Sequence, residues 1–229
     1  MIQRLRQILL SNRFDLSLAP FRLNIVGIRA KGTVAGSFDD EIHVFWRDDA
    51  GKWQHRNYPA TTDPGTYWLQ KPMMPQGTAI LKAGQYVGAY QIGKHQGRYK
   101  ALVQRGGPVT VVRDYNRDSV LDFVNGQEES GFLGINIHRA ERVGTTYEID
   151  RHSAGCQVFQ DAGHFAEFMQ LCEIHRERHG NSFTYTLVDF REARNALIRN
   201  VAAGGSAVTL GALAAIELFP FLRKKYLTA

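Results

Sequence analysis

Two short segments of this chain carry side chains able to do covalent chemistry, Ile135-Asn136-Ile137-His138 and, further on, Ser153-Ala154-Gly155-Cys156-Gln157. A cysteine thiol becomes a nucleophile when a neighbouring imidazole takes its proton or stabilises its thiolate. If both segments end strands, His138 and Cys156 can be brought together. Ser153, Ala154 and Gly155 are small enough for a tight turn that exposes the sulfur and aims backbone N–H groups at a developing oxyanion. The same pair also fits a blander reading, a buried cysteine beside a hydrogen-bonded core histidine.

Other groups carry less. Asp114-Tyr115-Asn116-Arg117-Asp118, followed by Asp122, places oxygen ligands at alternate positions like the start of a calcium-binding loop. It lacks a glycine after Asp118 and a terminal bidentate glutamate, so a polar turn held by Asx hydrogen bonds is expected, with a bound cation as the alternative. His175 and His179 share a helix face, but Arg176 stands where a zinc-protease helix carries glutamate, and Arg176 and Arg178 repel a cation. A solvated basic face is expected there. Cys172 recurs with Phe165, Phe168 and Met169 at helical spacing and reads as core. Neither a Walker loop nor a dinucleotide fingerprint occurs, and no cofactor or metal is expected.

The elements that must position these residues are mostly strands. From about residue 21 to 160, alternating and aromatic-rich runs such as 22–26, 41–46 and 99–103 are separated by breakers at Asp63-Pro64-Gly65, Met74-Pro75-Gln76-Gly77 and Gly106-Gly107-Pro108. This predicts a mainly β domain with peripheral helices, its sheet largely antiparallel or folded as a sandwich. A helix is predicted from about Asp161, as N-cap, to His179, with Gly180-Asn181 as its stop and a last strand over 183–188. The N-terminal residues predict a short amphipathic helix with Ile2, Leu5, Ile8 and Leu9 on one side. Ser11, Asn12, Arg13 and Asp15 interrupt any long apolar run, so a cleaved secretory signal is not expected.

The chain has 229 residues, 44% hydrophobic and 22% charged, which suits one globular domain and excludes wholesale disorder. Its net charge of +6 favours polyanions such as cell wall, lipid headgroups or nucleic acid. The basic residues are scattered and no zinc finger or basic helix appears, so nucleic acid is not an expected partner. Two cysteines are too few for a disulfide-stapled scaffold. Three segments follow: an amphipathic piece over 1–20, a domain over 21–190 and a C-terminal hydrophobic helix over 191–229. Residues 201–222 are mostly apolar and roughly long enough to cross a bilayer core. Ala203, Ala207, Gly211 and Ala215 recur every fourth position, which suits close helix approach and a homo-oligomer. A membrane anchor and a buried helix both fit that segment.

With its flanks, the cysteine turn resembles that of the L,D-transpeptidase (YkuD-type) catalytic domain family, where a histidine ending a strand precedes a Ser/Thr-x-Gly-Cys turn. The matching residues are His138, Ser153, Gly155 and Cys156. Upstream, Thr61-Thr62-Asp63-Pro64-Gly65-Thr66-Tyr67 resembles the family's Thr-Pro-x-Gly-x-Tyr/Phe segment. Ala154 replaces the family's usual histidine and Val158 its usual arginine. The resemblance covers roughly residues 40 to 160. It implies a β-sandwich-like catalytic fold, Cys156 as nucleophile, and His138 as base, oriented by a backbone carbonyl in place of an Asp. It further implies support from Ser153 and Gly155, and peptidoglycan stem peptides as substrate in the cell envelope. Arg139, Arg151, His152, Gln157 and Tyr67 are the candidate substrate contacts. Amine and water both remain open as acceptor. Competing readings are a non-catalytic wall- or membrane-binding protein on the same fold, and a cysteine acyltransferase or peptidase acting on another amide.

Overall fold

The computed structural model describes residues 1–30, 32, 35–123 and 126–189. Eleven strands and three helices are found among them, so the chain is mainly β with peripheral helices, as its alternation predicts. The strands are β1 (Asn24–Arg29), β2 (Asp40–Arg47), β3 (Trp53–Thr61), β4 (Thr78–Leu81), β5 (Gly84–His95), β6 (Tyr99–Gln104), β7 (Val109–Asp114), β8 (Gln127–Gly131), β9 (Ile137–Arg139), β10 (Gln157–Phe159) and β11 (Phe183–Asp189). The helices are α1 (Ile2–Ser11), α2 (Thr66–Gln70) and α3 (Ala162–His179).

Eight strands close on themselves in the order β1-β11-β5-β6-β9-β10-β3-β2, and β4-β7-β8 form a separate three-stranded sheet. The expected sandwich is therefore a barrel with a flanking sheet. Two parallel pairs, β1 with β11 and β9 with β10, complete the ring. A parallel pair needs a long connection, so neither leaves a hairpin signal in the sequence.

Side-chain alternation explains how the barrel acquires two apolar faces. In β2, Ile42, Val44 and Trp46 point into the main core, while Phe45 points outward to a second cluster. In β1, Ile25 joins the main core, and Val26 and Ile28 join the outer one. That outer face is covered by Leu5, Ile8 and Leu9 of α1, so the N-terminal helix packs as part of the same unit. Helix α3 lays Phe165, Phe168, Met169 and Cys172 on the main core. Asp161 caps it, accepting the N–H groups of Gly163 and His164 at 2.8 and 3.0 Å. Among the described residues no helix is long and apolar enough to cross a membrane. The C-terminal stretch 201–222 lies outside the described residues.

Candidate functional site

His138 lies on β9, and Cys156 immediately precedes β10, its parallel neighbour. Val158 pairs with His138 in register. Cys156, two residues earlier, shares the face of Val158 and so the side of His138. Both residues line one cavity of about 660 Å³, together with Trp68, Met73, Met74, His95, Arg113, Asn136, Arg151, His152 and Ala154.

The turn that presents the thiol is fixed on three sides. Gly155 sits at φ +118°, and a Cβ there would lie 2.4 Å from the carbonyl oxygen of Ala79. Only glycine fits both the dihedral and the close approach to β4. Ser153, fully buried, donates its hydroxyl to the Cys156 carbonyl at 2.8 Å and accepts the Gly155 N–H at 3.2 Å. Its backbone carbonyl accepts the Gly65 N–H at 2.8 Å. The two sequence motifs therefore meet in space, although they lie far apart in the chain. The segment at Thr62 and Asp63 is itself held by a buried polar network. Arg29 Nε pairs with Asp63 Oδ1 at 2.8 Å, and Asp40 accepts from Ala30 N, Thr62 N and Thr62 Oγ1. Burial, then the nearby Asp63, pushes the Asp40 carboxyl well above the usual range.

The histidine has a defined tautomer. His138 Nδ1 lies 2.8 Å from the Arg139 carbonyl oxygen, which can only accept, so Nδ1 carries the hydrogen and Nε2 keeps its lone pair. A carbonyl thus orients the ring, with Tyr99 Oη 3.4 Å from the same nitrogen. Burial pushes His138 down to about 3, with His95 acting in the same direction and the Arg139 carbonyl opposing. Burial likewise pushes the Cys156 thiol up to about 11, opposed by the Asn136 N–H that donates to Sγ at 3.4 Å. Near neutral pH the resting site is therefore a neutral thiol and a neutral imidazole. The thiol donates to the Gly134 carbonyl at 3.6 Å, so a transfer of its proton to an imidazole would accompany attack on a substrate. The Gly155 amide is committed to Ser153, whereas the Cys156 amide has no hydrogen-bond partner among the described residues.

The predicted substrate contacts separate into two groups. Arg151 and His152 line the cavity. Arg151 is exposed, has no carboxylate partner among the described residues, and lies 4.1 Å over the ring of Tyr67. His152 Nε2 stands 3.6 Å from Glu141 Oε1. Tyr67, Arg139 and Gln157 do not line the cavity. Tyr67 supports Arg151 from behind. Arg139 lies 4.2 Å over Tyr99 and donates to the Glu141 carbonyl at 2.9 Å. Gln157 is fully buried, accepting the Tyr185 hydroxyl at 2.8 Å and donating to the Gly155 carbonyl at 3.3 Å. It braces the turn from inside the barrel, a correction that strand alternation explains, since the neighbour of an outward Cys156 must face inward.

Sequence reasoning missed His95, Asn136 and Trp68. His95, at the end of β5, stacks on His138 with ring centroids 4.0 Å apart and planes inclined by 22°. The Asn136 carboxamide oxygen accepts the Gln104 N–H at 2.9 Å, so its NH₂ donates to His95 Nδ1 at 3.1 Å. His95 therefore carries its hydrogen on Nε2. The alternation of Asn136 and His138 along one strand was the available signal for Asn136. For His95 there was none, because a hairpin brings it across. Trp68 donates its indole N–H to the Arg151 carbonyl at 3.0 Å. Burial makes Cys172 a core residue, as predicted. His175 accepts the Leu23 N–H at 3.1 Å, and His179 Nε2 contacts the Pro20 carbonyl at 2.7 Å, so the two serve packing and chain positioning. Among the described residues no three His, Cys, Asp or Glu side chains stand together as a ready metal centre. Compared with protein-family models, curated proteins and solved structures, the chain matches none.

Proposed function

We propose that this chain is a cysteine-nucleophile enzyme of L,D-transpeptidase type, cleaving or exchanging amide bonds in peptidoglycan stem peptides at the cell envelope. The observation that carries this reading is that Cys156, just before β10, and a carbonyl-oriented His138 on the adjacent parallel strand β9 line one cavity. The resemblance at His138, Ser153, Gly155 and Cys156 supports it, as does the contact between the Thr61–Tyr67 segment and the cysteine turn. The barrel with its flanking sheet would then be a divergent form of that catalytic fold, and the apolar sequence 201–222 would serve to hold it at a membrane or to pair two copies.

In the reaction, Sγ attacks the amide carbonyl carbon while His138 Nε2 takes the thiol proton. The carbonyl oxygen, now negative, receives the Cys156 N–H. Collapse breaks the C–N bond as His138 returns the proton to the departing amine, leaving a thioester. An amine or a water then attacks the thioester, and His138 takes the attacker's proton and gives it to the leaving sulfur. Arg151 offers a guanidinium to a carboxylate of the stem peptide. One observation favours a second reading, a non-catalytic wall-binding module: the resting thiol is pushed up to about 11 and has little thiolate at neutral pH.

Stem tetrapeptides incubated with the full chain, Cys156→Ala and His138→Ala separate these readings by product analysis. Released terminal residue or cross-linked dimer, lost in both variants, supports the enzyme. Binding of wall fragments without any product supports the module and overturns the catalytic reading.

A further inference from the structure

The loop after β7 carries a second chemistry that is independent of the cysteine site. Asp114, Asn116, Asp118 and Asp122 present four oxygen-bearing side chains within nine residues. Asp114 is fully buried at the strand end. Its Oδ2 accepts the Asp122 N–H at 3.0 Å, but its Oδ1 is buried with no hydrogen-bond partner among the described residues. A buried carboxylate oxygen left unpaired is costly, and such groups are normally satisfied by a donor or a cation. The surroundings make the need sharper. Burial raises the Asp114 carboxyl, opposed by the Asp122 and Asn116 backbone N–H groups, and the charges of Asp118 and Asp122 add to the rise. The charges of Asp118 and Asp122 thus act on a carboxylate that keeps one oxygen unsatisfied among the described residues.

We propose that residues 114–122 bind a calcium ion, with Asp114 Oδ1 as the fixed ligand and Asn116, Asp118 and Asp122 as the side chains that complete it with water. All the donors are hard oxygens, with no imidazole or thiolate, which excludes a zinc preference. Magnesium demands near-ideal octahedral geometry and gives up water reluctantly, whereas calcium accepts six to eight irregular oxygens. Asn116 Oδ1 accepts the Asp118 N–H at 3.3 Å and Asp118 Oδ1 accepts the Val120 N–H at 2.7 Å, the Asx bonds expected of a polar turn, which leave each side chain further lone pairs for a cation. Binding must draw in the exposed side chains of Asn116 and Asp118. Leu121 is already anchored in a cluster with Leu69 and Ile80, and Gln70 Nε2 donates to Ser119 Oγ at 3.0 Å, so the far end of the loop is tied to α2. Adjacent to Asp114, Arg113 lines the cavity of the cysteine site. An ion here would stiffen one wall of that cavity.

The test uses the full chain, stripped with chelator, and titrates calcium alone by calorimetry and by thermal unfolding. One saturable site with a Kd on the order of 10⁻⁵ to 10⁻³ M is expected. Saturation should raise the Tm by roughly 5 °C. Terbium should give Tyr115-sensitised emission that calcium displaces, since Tyr115 lies in the loop and is 56% exposed. Asp118→Asn and Asn116→Ser keep acceptors for the Val120 and Asp118 N–H groups and should hold the Tm measured without calcium while weakening calcium at least fivefold. Absence of heat, Tm shift and terbium emission from folded protein overturns the proposal. So does calcium affinity unchanged in both variants, or an equal response to magnesium.

Discussion

Replacing Gly155 by alanine probes the turn that presents the thiol, and two physical costs add there. An L-residue at φ +118° is strained by roughly 1–3 kcal/mol. The new methyl would also lie 2.4 Å from the Ala79 carbonyl oxygen and 3.2 Å from its Cβ. Strand β4 cannot retreat freely, because Ala79 pairs with Arg113 of β7. Overpacking against a fixed backbone adds roughly 1–3 kcal/mol. The total of about 4 kcal/mol is a large share of the 5–15 kcal/mol typical of a domain. Gly97 supplies the control. It sits at φ +74° with nothing within 4 Å of an added Cβ, so Gly97→Ala should cost only about 1 kcal/mol. Urea unfolding followed by circular dichroism measures both. With a slope of about 2 kcal/mol per molar, the midpoint should fall by about 2 M for Gly155→Ala and about 0.5 M for Gly97→Ala. Equal losses in the two variants would refute the claim that contact with β4, beyond the dihedral alone, fixes the turn.

Three further outcomes follow from buried polar groups. Arg29→Met leaves Asp63 as an uncompensated buried charge and should cost about 3–5 kcal/mol in urea unfolding, with Asp63→Leu added to it recovering most of the loss; no recovery would contradict the pairing. His138 and His175 are buried and depressed to about 3 and about 4, below the unfolded value near 6.5. The unfolded chain therefore binds more protons, so their contribution to stability is complete above pH 6.5 and is lost as pH falls toward 4. Each contributes up to about 1.4 kcal/mol per pH unit, and His175→Asn should remove one such share from the slope of stability against pH between 6 and 5. An unchanged slope would show that His175 titrates normally. Finally, His95→Phe keeps a ring against His138 but deletes the acceptor for the Asn136 NH₂. It should lower stability by about 1–2 kcal/mol and slow acylation of Cys156 about tenfold. Wild-type acylation in that variant would remove His95 from the site.

What could be read from the chain was local. The α3 helix from its Asp161 cap to Gly180, the strands around 41–46 and 183–188, and the core role of Cys172 are stated by spacing and by end signals. The Ser153-Ala154-Gly155-Cys156 turn was legible because its small residues have one geometric use. Barrel closure was not, since β1 meets β11 and β9 meets β10 across long connections that leave no local pattern. The same holds for the His95 stack, which depends on the β5–β6 hairpin crossing beside β9. Gln157 was assigned to substrate although alternation places it inside, where Tyr185 and the Gly155 carbonyl take its amide. Tyr67 and Arg139 showed their residue types in sequence, but each turns its ring or guanidinium to a neighbour, which only tertiary packing decides.

Intact-mass and peptide mass spectrometry of the full chain after exposure to a thiol-acylating β-lactam tests the central claim most directly, with Cys156→Ala and His138→Ala beside it. The ring-opened adduct should map to the peptide containing Cys156, be absent from Cys156→Ala, and form at least about a hundredfold more slowly in folded His138→Ala. No adduct on folded wild-type protein, or an adduct whose rate ignores His138, would contradict a nucleophile activated by that histidine.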